Sequence, residues 1–135
     1  MNFDDFKIKL VDDIAIVTVD LLVATQRDAK PIWDELDNKS ILDWDKLIID
    51  LSSCTFIDST FMGMIVKIFK AVSGNKGQMK LVFPEKNARI YLHTTGIIKV
   101  IDCFDTLNEA VNSFNTRIPT RKISFDEEFL NDRLN

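Results

Sequence analysis

The sequence has few of the residues on which enzymes and metal sites usually depend. Its 135 residues include one histidine, His93, and two cysteines, Cys54 and Cys103. The usual histidine-paired serine or cysteine triad is therefore excluded unless His93 itself serves, and the neighbours of His93 indicate a helix end. Neither cysteine has a second thiol or a histidine at ligand spacing. We interpret both as reduced, packed residues rather than as a disulfide or a metal site.

Motifs for nucleotide chemistry and covalent catalysis are missing as well. The chain has no GxxxxGK[ST] loop, no GxGxxG after a strand and no GxSxG elbow. Its acidic clusters, 12–13, 43–45 and 126–128, lie at predicted turns or at a helix start, where acids are expected without any ion. We predict a protein that is not an enzyme, with no catalytic residue, no metal site and no cofactor.

Charge and hydropathy exclude two further classes of protein. The formal net charge is -4 and the basic residues are scattered, which argues against a nucleic-acid partner. No apolar run approaches the ~20 residues of a membrane helix, and Asp4 and Asp5 stand where a secretory signal would be basic. We expect a cytoplasmic protein. The 46% hydrophobic content suits a domain that buries its own core.

Hydrophobic periodicity predicts an opening β-hairpin followed by alternating strands and helices. Pro31 is expected in the first turn of the first helix, with Asp28 or a neighbour as its cap. Asp105 or Thr106 is expected to cap the last helix. The predicted class is α/β, a mixed, mainly parallel sheet of about four to five strands faced by about four helices. The elements are strands at 6–11 and 14–19, a helix over 31–42, a central strand over 46–51, a helix from 59 to about 72, a strand over 78–83, a helix over 85–95, a strand within 97–104 and a helix to 114.

The composition changes near residue 115, so we predict a domain over 1–115 and a C-terminal extension over 116–135. Residues 115–122 contain Pro119 and three basic side chains, which is typical of a linker. Ser124 to Glu127 has the spacing of a capping box, so 125–134 is a candidate amphipathic helix presenting Phe129 and Leu130. This helix either docks on its own domain, which we favour, or serves as a partner-binding or homodimer-forming tail.

The stretch FIDSTFMG, from Phe56 to Gly63, is the most informative part of the chain. A strand ends there and an amphipathic helix begins at once, so Asp58 or Ser59 must lie at the helix N-terminus. Capping alone explains either residue, because a side-chain oxygen satisfies free backbone N–H groups. A hydroxyl at this place would also be a suitable phosphoacceptor, since a helix N-terminus tolerates the negative charge of a phosphate. The spacing by itself favours the capping interpretation.

The residues from 47 to 63, LIIDLS followed by TFIDST and Gly63, resemble the STAS domain family and within it the anti-sigma-factor antagonists. The family motif joins an apolar-apolar-Asp-Leu-Ser strand to a segment Φ-Asp-Ser-Ser/Thr-Gly-Leu-Gly that opens the second helix. The resemblance extends over about residues 6–114, through KLVFP at 80–84, TGI at 95–97 and the FD pair at 104–105. It implies a small β-sheet faced by helices and a function of binding without catalysis.

The resemblance also implies partners and a modification site. The usual member binds a serine-protein kinase that acts as an anti-sigma factor, and that kinase phosphorylates the serine after the motif aspartate, which blocks binding. A metal-dependent serine phosphatase restores it. Carried onto this chain, the phosphoacceptor is Ser59, with Thr60 as a secondary candidate. The implied partner-binding residues are Asp58, Ser59, Thr60, Phe61, Met62 and Gly63.

The chain departs from the family pattern at two places. Phe61 stands where the family usually has glycine; a helical wheel places it in the buried arc, although so near a helix end it could equally contact a partner. The early Gly-x-Leu-Asp segment is here 20–23, DLLV. One alternative function is a structural STAS scaffold or a partner-switching module in a non-sigma signalling complex. A receiver domain phosphorylated on Asp50 is a weaker alternative, because receivers begin with a strand followed by a helix.

Overall fold

The computed structural model describes residues 5–83 and 100–115, which form an α/β domain. The predicted helix at 85–95, His93 and the extension 116–135 lie outside the described residues. In chain order the elements are β1 (Phe6–Val11), β2 (Ile14–Val19), β3 (Val23–Ala24), α1 (Gln26–Asn38), a short 3-10 helix (Ile41–Asp43), β4 (Lys46–Asp50), β5 (Phe56–Ile57), α2 (Ser59–Gly74), β6 (Gln78–Val82), β7 (Asp102–Phe104) and α3 (Leu107–Asn115).

Five of the strands form one mixed sheet in the order β1-β2-β4-β6-β7. The hairpin pair β1-β2 is antiparallel and every other pair is parallel. Strand β4 pairs on both sides, with Val17 opposite Ile49 and Ile49 opposite Leu81. A strand with neighbours on both edges and helices on both faces has to be apolar throughout, which explains the KLIID run. The predicted fold class, the hairpin and the central strand are confirmed.

The two faces of the sheet carry separate cores. Leu47 and Ile49 of β4 belong to the larger core beneath α1 and α2, whereas Ile48 between them belongs to a smaller core on the opposite face. This alternation follows from the two-residue period of a strand. Ala110 of α3 packs into the smaller core. The described residues therefore form three layers, with α1 and α2 on one side of the sheet and α3 on the other.

Lys80 lies inside the layer between the sheet and α3. Its Nζ donates to Ser113 Oγ at 2.7 Å and lies 4.2 Å from the centre of the Phe114 ring. Burial lowers the pKa of Lys80, and the nearby Asp102 carboxylate partly opposes that shift. The amine thus gains a hydroxyl and a ring face in place of the water that it loses, which lets a lysine occupy a mostly apolar layer.

Helix α1 begins five residues before the predicted position, which is a correction. Thr25 is its N-cap, and Asp28, the third helical residue, accepts a hydrogen bond from Thr25 N at 2.9 Å. This reciprocal cap satisfies free N–H groups at the true start. Pro31 lies inside the helix rather than in its first turn, on the exposed side. The helix also ends earlier than predicted, and Ser40 with φ 57° turns the chain into the 3-10 helix.

The ends of the other helices agree more closely with the positions predicted from the sequence. Thr106 Oγ1 accepts from Glu109 N at 3.1 Å and caps α3. Helix α2 ends at Gly74, and the following turn contains Gly77. A Cβ at Gly77 would lie 2.7 Å from the Trp44 carbonyl oxygen and 2.9 Å from Val72 Cγ1. Glycine is therefore required there by a close backbone approach.

Candidate functional site

Two strand-to-helix units place the starts of α1 and α2 side by side. Strands β3 and β5 pair in parallel, with Val23 opposite Phe56 and Ala24 opposite Ile57. Strand β3 leads into α1 after Thr25, and β5 leads into α2 after Asp58. Because the two strands are in register, both helices begin at the same edge of the molecule. The positive ends of two helix dipoles therefore lie close together.

The Asp58 carboxylate links these two helix starts. Its Oδ1 accepts from Phe61 N at 2.8 Å, which is the ordinary N-cap bond of α2. Its Oδ2 accepts from Gln26 N, the first amide of α1, also at 2.8 Å. Asp58 is the N-cap, so the capping interpretation of this acid is correct. The bond to Gln26 was not foreseeable from local sequence, because 32 residues separate the two positions.

Ser59 and Thr60 are the first two residues of α2, and both are exposed. The described residues offer neither hydroxyl a hydrogen-bond partner. Because Asp58 caps the helix, the Ser59 hydroxyl is not needed for capping. It is exposed and therefore accessible for modification. A phosphate added here would lie at the positive end of α2.

Phe61 and Met62 are core residues. Their exposed fractions are 0% and 2%, and both belong to the larger core. The helical-wheel placement of Phe61 in the buried arc is confirmed. The inclusion of Phe61 and Met62 among partner-binding residues needs correction in this conformation, because the side chains point away from the surface. Of that set, Asp58, which is half-buried, and the exposed Ser59, Thr60 and Gly63 remain accessible.

A groove of about 1140 Å³ lies between the N-terminal halves of α1 and α2. Trp33 and Lys67 face each other within it, with Lys67 Nζ 4.2 Å from the centre of the indole ring. Gly63 opens directly onto this space, since a Cβ built there meets nothing within 4 Å. The lining residues are Thr25, Gln26, Arg27, Ala29, Lys30, Pro31, Trp33, Asp34, Asp58, Thr60, Gly63, Met64 and Lys67.

An exposed apolar patch accompanies β3 and β5. Its members are Leu22, Val23 and Phe56, with exposed fractions of 67%, 47% and 49%. Thr55 N donates to the Leu22 carbonyl at 2.8 Å, which ties the two segments together. The sequence analysis named the segment 20–23 and the stretch that begins at Phe56, but it did not predict that they form one exposed patch, nor did it select the basic side chains of the groove. The two segments meet only through the pairing of β3 with β5.

Asp50 and Cys54 lie buried below the site. Asp50 is 7% exposed, and its Oδ1 accepts from Ser52 N at 2.9 Å, so the carboxylate shapes the turn after β4. This placement gives no support to a receiver-type aspartate. Burial raises the pKa of the Cys54 thiol to about 12, and the Asp50 carboxylate acts in the same direction. The thiol is thus protonated at neutral pH and unsuited to nucleophilic chemistry.

Two further site classes have no counterpart in residues 5–83 and 100–115. No three histidine, cysteine, aspartate or glutamate side chains come together there in a way that could hold a metal ion. Within the same ranges, the helices are too short or too polar to cross a bilayer. The geometry is that of an exposed hydroxyl pair between a groove and an apolar patch.

Comparison with known proteins supplies the family. The family model described as the STAS domain matches residues 5–110. The chain belongs to the STAS domain family. Among the similar proteins is one from Thermotoga maritima, provisionally named an anti-sigma factor antagonist, which is 30% identical over 109 residues, 78% of this chain and 94% of the relative. The chain is thus a STAS domain protein of the anti-sigma factor antagonist type.

Solved structures agree with the STAS fold. A crystal structure of a Thermotoga maritima protein with the same provisional name superposes with a TM-score of 0.72 at 27% identity, over 82% of this chain and 95% of that one. The Bacillus cell fate determinant SpoIIAA in its phosphorylated form has a TM-score of 0.63 at 14% identity, over 81% of this chain and 98% of that one. At such low identity the second likeness concerns the fold alone.

Proposed function

We propose that this STAS domain is a binding protein switched by phosphorylation of Ser59. Unmodified, it binds a serine-protein kinase that acts as an anti-sigma factor in the cytoplasm. That kinase phosphorylates Ser59 and thereby dissociates, and a metal-dependent serine phosphatase returns the chain to its binding form. The observation that carries the proposal is the exposed Ser59 hydroxyl at the start of α2, beside the Asp58 cap.

The surroundings of Ser59 suit a protein partner. Asp58 and Thr60 line the groove, whereas Phe56 belongs to the apolar patch three residues earlier. A partner seated over Ser59 can therefore cover an apolar surface on one side and a basic, aromatic groove on the other. Interfaces commonly combine an apolar centre with a charged rim in this way. Ser59 would lie within the covered area, where a change in its charge has the largest effect.

Phosphorylation would oppose binding through charge and desolvation. A phosphate carries nearly two negative charges, and Asp58 already places a carboxylate beside it. Removing that charge from water in a packed interface costs free energy unless a cation meets it. A penalty of ~3 kcal/mol would weaken affinity more than a hundredfold, which is sufficient for a switch without refolding.

The acceptor can be tested by incubating the full chain with ATP and candidate kinases from its own organism, then locating phosphate by mass spectrometry. We expect phosphate on Ser59 in the unmodified chain and in Thr60→Ala, and none at this site in Ser59→Ala. Thr60→Ala is the matched control, because it removes the neighbouring exposed hydroxyl. Phosphate found only outside residues 59 and 60 would overturn the assignment.

The switch itself can be tested by measuring kinase binding with Ser59→Ala and Ser59→Asp. We expect Ser59→Ala to bind as the unmodified chain does, and Ser59→Asp to bind far more weakly, because the carboxylate imitates part of the phosphate charge. Equal affinities of the two variants would contradict the proposal. A large stable assembly that forms regardless of either substitution would instead favour a scaffold function.

A further inference from the structure

The groove between α1 and α2 has an apolar floor and an excess of basic charge at its rim. Trp33 and Met64 contribute the floor, and Arg27, Lys30 and Lys67 surround it. The lining also holds two acids: Asp34 pairs with Lys30, whose Nζ donates to it at 2.8 Å, and Asp58 accepts from two helix amides. Three bases against two acids leave the lining one positive charge in excess, carried by Arg27 and Lys67, in a chain of net charge -4. The groove therefore favours an acidic, amphipathic occupant.

The last twelve residues of the sequence, 124–135, have that composition. They contain four acids, Asp126, Glu127, Glu128 and Asp132, against one base, Arg133. Apolar residues at 125, 129, 130 and 134 accompany them, and the capping-box spacing at Ser124 predicts a helix. The segment also lies outside the residues that the family model matches, because that match ends at residue 110.

We propose that residues 124–135 fold as a helix into this groove. Its apolar side chains pack against Trp33 and Met64, and its acids lie toward Arg27 and Lys67. Gly63 lets the helix approach α2 closely, because no side chain stands between them at that point. Small residues at a helix crossing allow such close packing, and opposite charges at the rim fix the orientation.

The linker is long enough for this docking. Helix α3 ends at Asn115 on the opposite face of the sheet, where the Phe114 ring lies 6.0 Å from Lys46 Nζ at the start of β4. The nine residues 116–124 extend to ~30 Å. The path must cover about two layers at ~10 Å each and also part of the ~16 Å length of β4, because the groove lies toward the other end of that strand; a straight line over both is ~25 Å. A nearly extended linker therefore reaches the groove of its own domain.

Occupation of the groove would regulate the switch, and this consequence rests on the proposed function. The helix would cover Thr60 and Gly63 beside Ser59, so it would compete with a kinase for the same surface. A bound kinase would have to displace it before reaching Ser59. The docking itself requires no kinase, so it can be tested apart from the proposed function.

The test measures paramagnetic relaxation enhancement by NMR, in the full chain carrying Asn131→Cys with a nitroxide label attached to the new cysteine. Cys54 and Cys103 are buried, so labelling is directed to the new thiol. We expect the amide signals of Thr60 and Gly63 to lose most of their intensity relative to the reduced label, while Lys9 on the other face of the sheet keeps its signal. A mixture of labelled chain and isotope-enriched unlabelled chain must show no such loss.

Charge reversal supplies the matched control. Arg27→Glu with Lys67→Glu should abolish the relaxation effect, and adding Glu127→Lys and Glu128→Lys should restore it, whereas Lys9→Glu should leave it unchanged. An unchanged amide spectrum elsewhere shows that each variant folds. Unaffected groove signals, relaxation confined to α3 or β1, or an effect seen in the mixed sample would each overturn the proposal; the last outcome would indicate a dimer. The Ser59 phosphorylation assay does not depend on any of these three outcomes, so the docking and the proposed function can fail separately.

Discussion

Four consecutive residues at the start of α2 face three different environments. Asp58 is half-buried and bonds to two helix starts, Ser59 and Thr60 are exposed, and Phe61 is fully buried. A helix turns by about 100° per residue, so neighbours in sequence point in different directions. The family resemblance does not assign Phe61 to one of these environments, whereas its burial on the inner face of α2 does so.

Replacement of Phe61 by alanine should destabilise the domain strongly. Truncating a buried phenylalanine removes apolar contacts and leaves a cavity, at a cost of ~3–5 kcal/mol. Denaturant unfolding followed by circular dichroism measures this loss. Ser59→Ala on the same turn is the control, and we expect it to change the free energy of unfolding by less than ~0.5 kcal/mol. Similar effects of the two substitutions would contradict the assigned environments.

The Cys54 thiol should make stability depend on alkaline pH. Burial raises its pKa in the folded chain to about 12, from an ordinary value of 9.0. The unfolded chain therefore loses this proton first as pH rises above 9, so stability is complete below that pH and decreases above it. The slope contributed is at most ~1.4 kcal/mol per pH unit.

The measurement compares unfolding free energies of the unmodified chain and Cys54→Ala from pH 8 to pH 11. Other titrating groups cancel in the difference. We expect Cys54→Ala to cost stability at pH 8, through its cavity, and to lose that disadvantage progressively above pH 9. A difference that does not vary with pH would show that the thiol ionises equally in both states.

At the scale of elements, the site depends on two helices that begin together. Strands β3 and β5 set the register, and the Asp58 carboxylate bridges α2 to Gln26 of α1. The groove follows from this arrangement because the helices lie adjacent along their N-terminal halves. Gly63 is then unusual, since it occupies the second turn of a helix where glycine is unfavourable and no internal contact requires it.

Gly63→Ala should stabilise the domain and weaken binding to the groove. The substitution removes backbone freedom from the unfolded chain and gains helix propensity, worth ~0.5–1 kcal/mol. The added methyl group points into open space in the described domain, so we expect no internal clash. Thermal unfolding measures the gain, and kinase affinity measures the loss. A lower stability, or a higher stability with unchanged affinity, would show that Gly63 has no role at the interface.

At the scale of the whole molecule, the exposed hydroxyls of the site lie outside the two cores that the described residues form. The sheet is covered by α1 and α2 on one face and by α3 on the other, and the exposed residues Ser59 and Thr60 take no part in either core. A charge added at Ser59 would therefore change the surface and leave the layers intact. The proposed switch needs no conformational change within the domain.

Ser59→Asp should accordingly retain the fold and its stability. An acid in the first turn of a helix interacts favourably with the dipole, so we expect an increase of up to ~1 kcal/mol. Urea unfolding should give an unchanged dependence on denaturant concentration, because the surface exposed on unfolding is the same. A smaller slope or a marked loss of stability would indicate that the negative charge acts by opening the domain.

The sequence by itself determined the class of fold and the helix start at which the candidate site is proposed. Apolar runs of strand length, helical periodicity and the IDST junction are local signals, because they follow from backbone geometry and capping over a few residues. These signals correctly predicted the hairpin, the central strand β4 and the helix that begins at Ser59. The start of α1 was predicted wrongly, because the capping pair Thr25 and Asp28 sets the start of the helix and Pro31 is tolerated on its exposed side.

Only the tertiary structure decided what surrounds Ser59. The bond from Gln26 to Asp58, the burial of Phe61 and the groove between Trp33 and Lys67 join residues that are far apart in the chain or depend on what packs against a helix. The bond and the groove depend on the parallel pairing of β3 with β5, which sets the two helix starts side by side. No local sequence pattern specifies the register of that pairing. The sequence thus predicted that a helix begins at the hydroxyl residue Ser59. The packing of α1 against α2 determined which other residues share the surface around it.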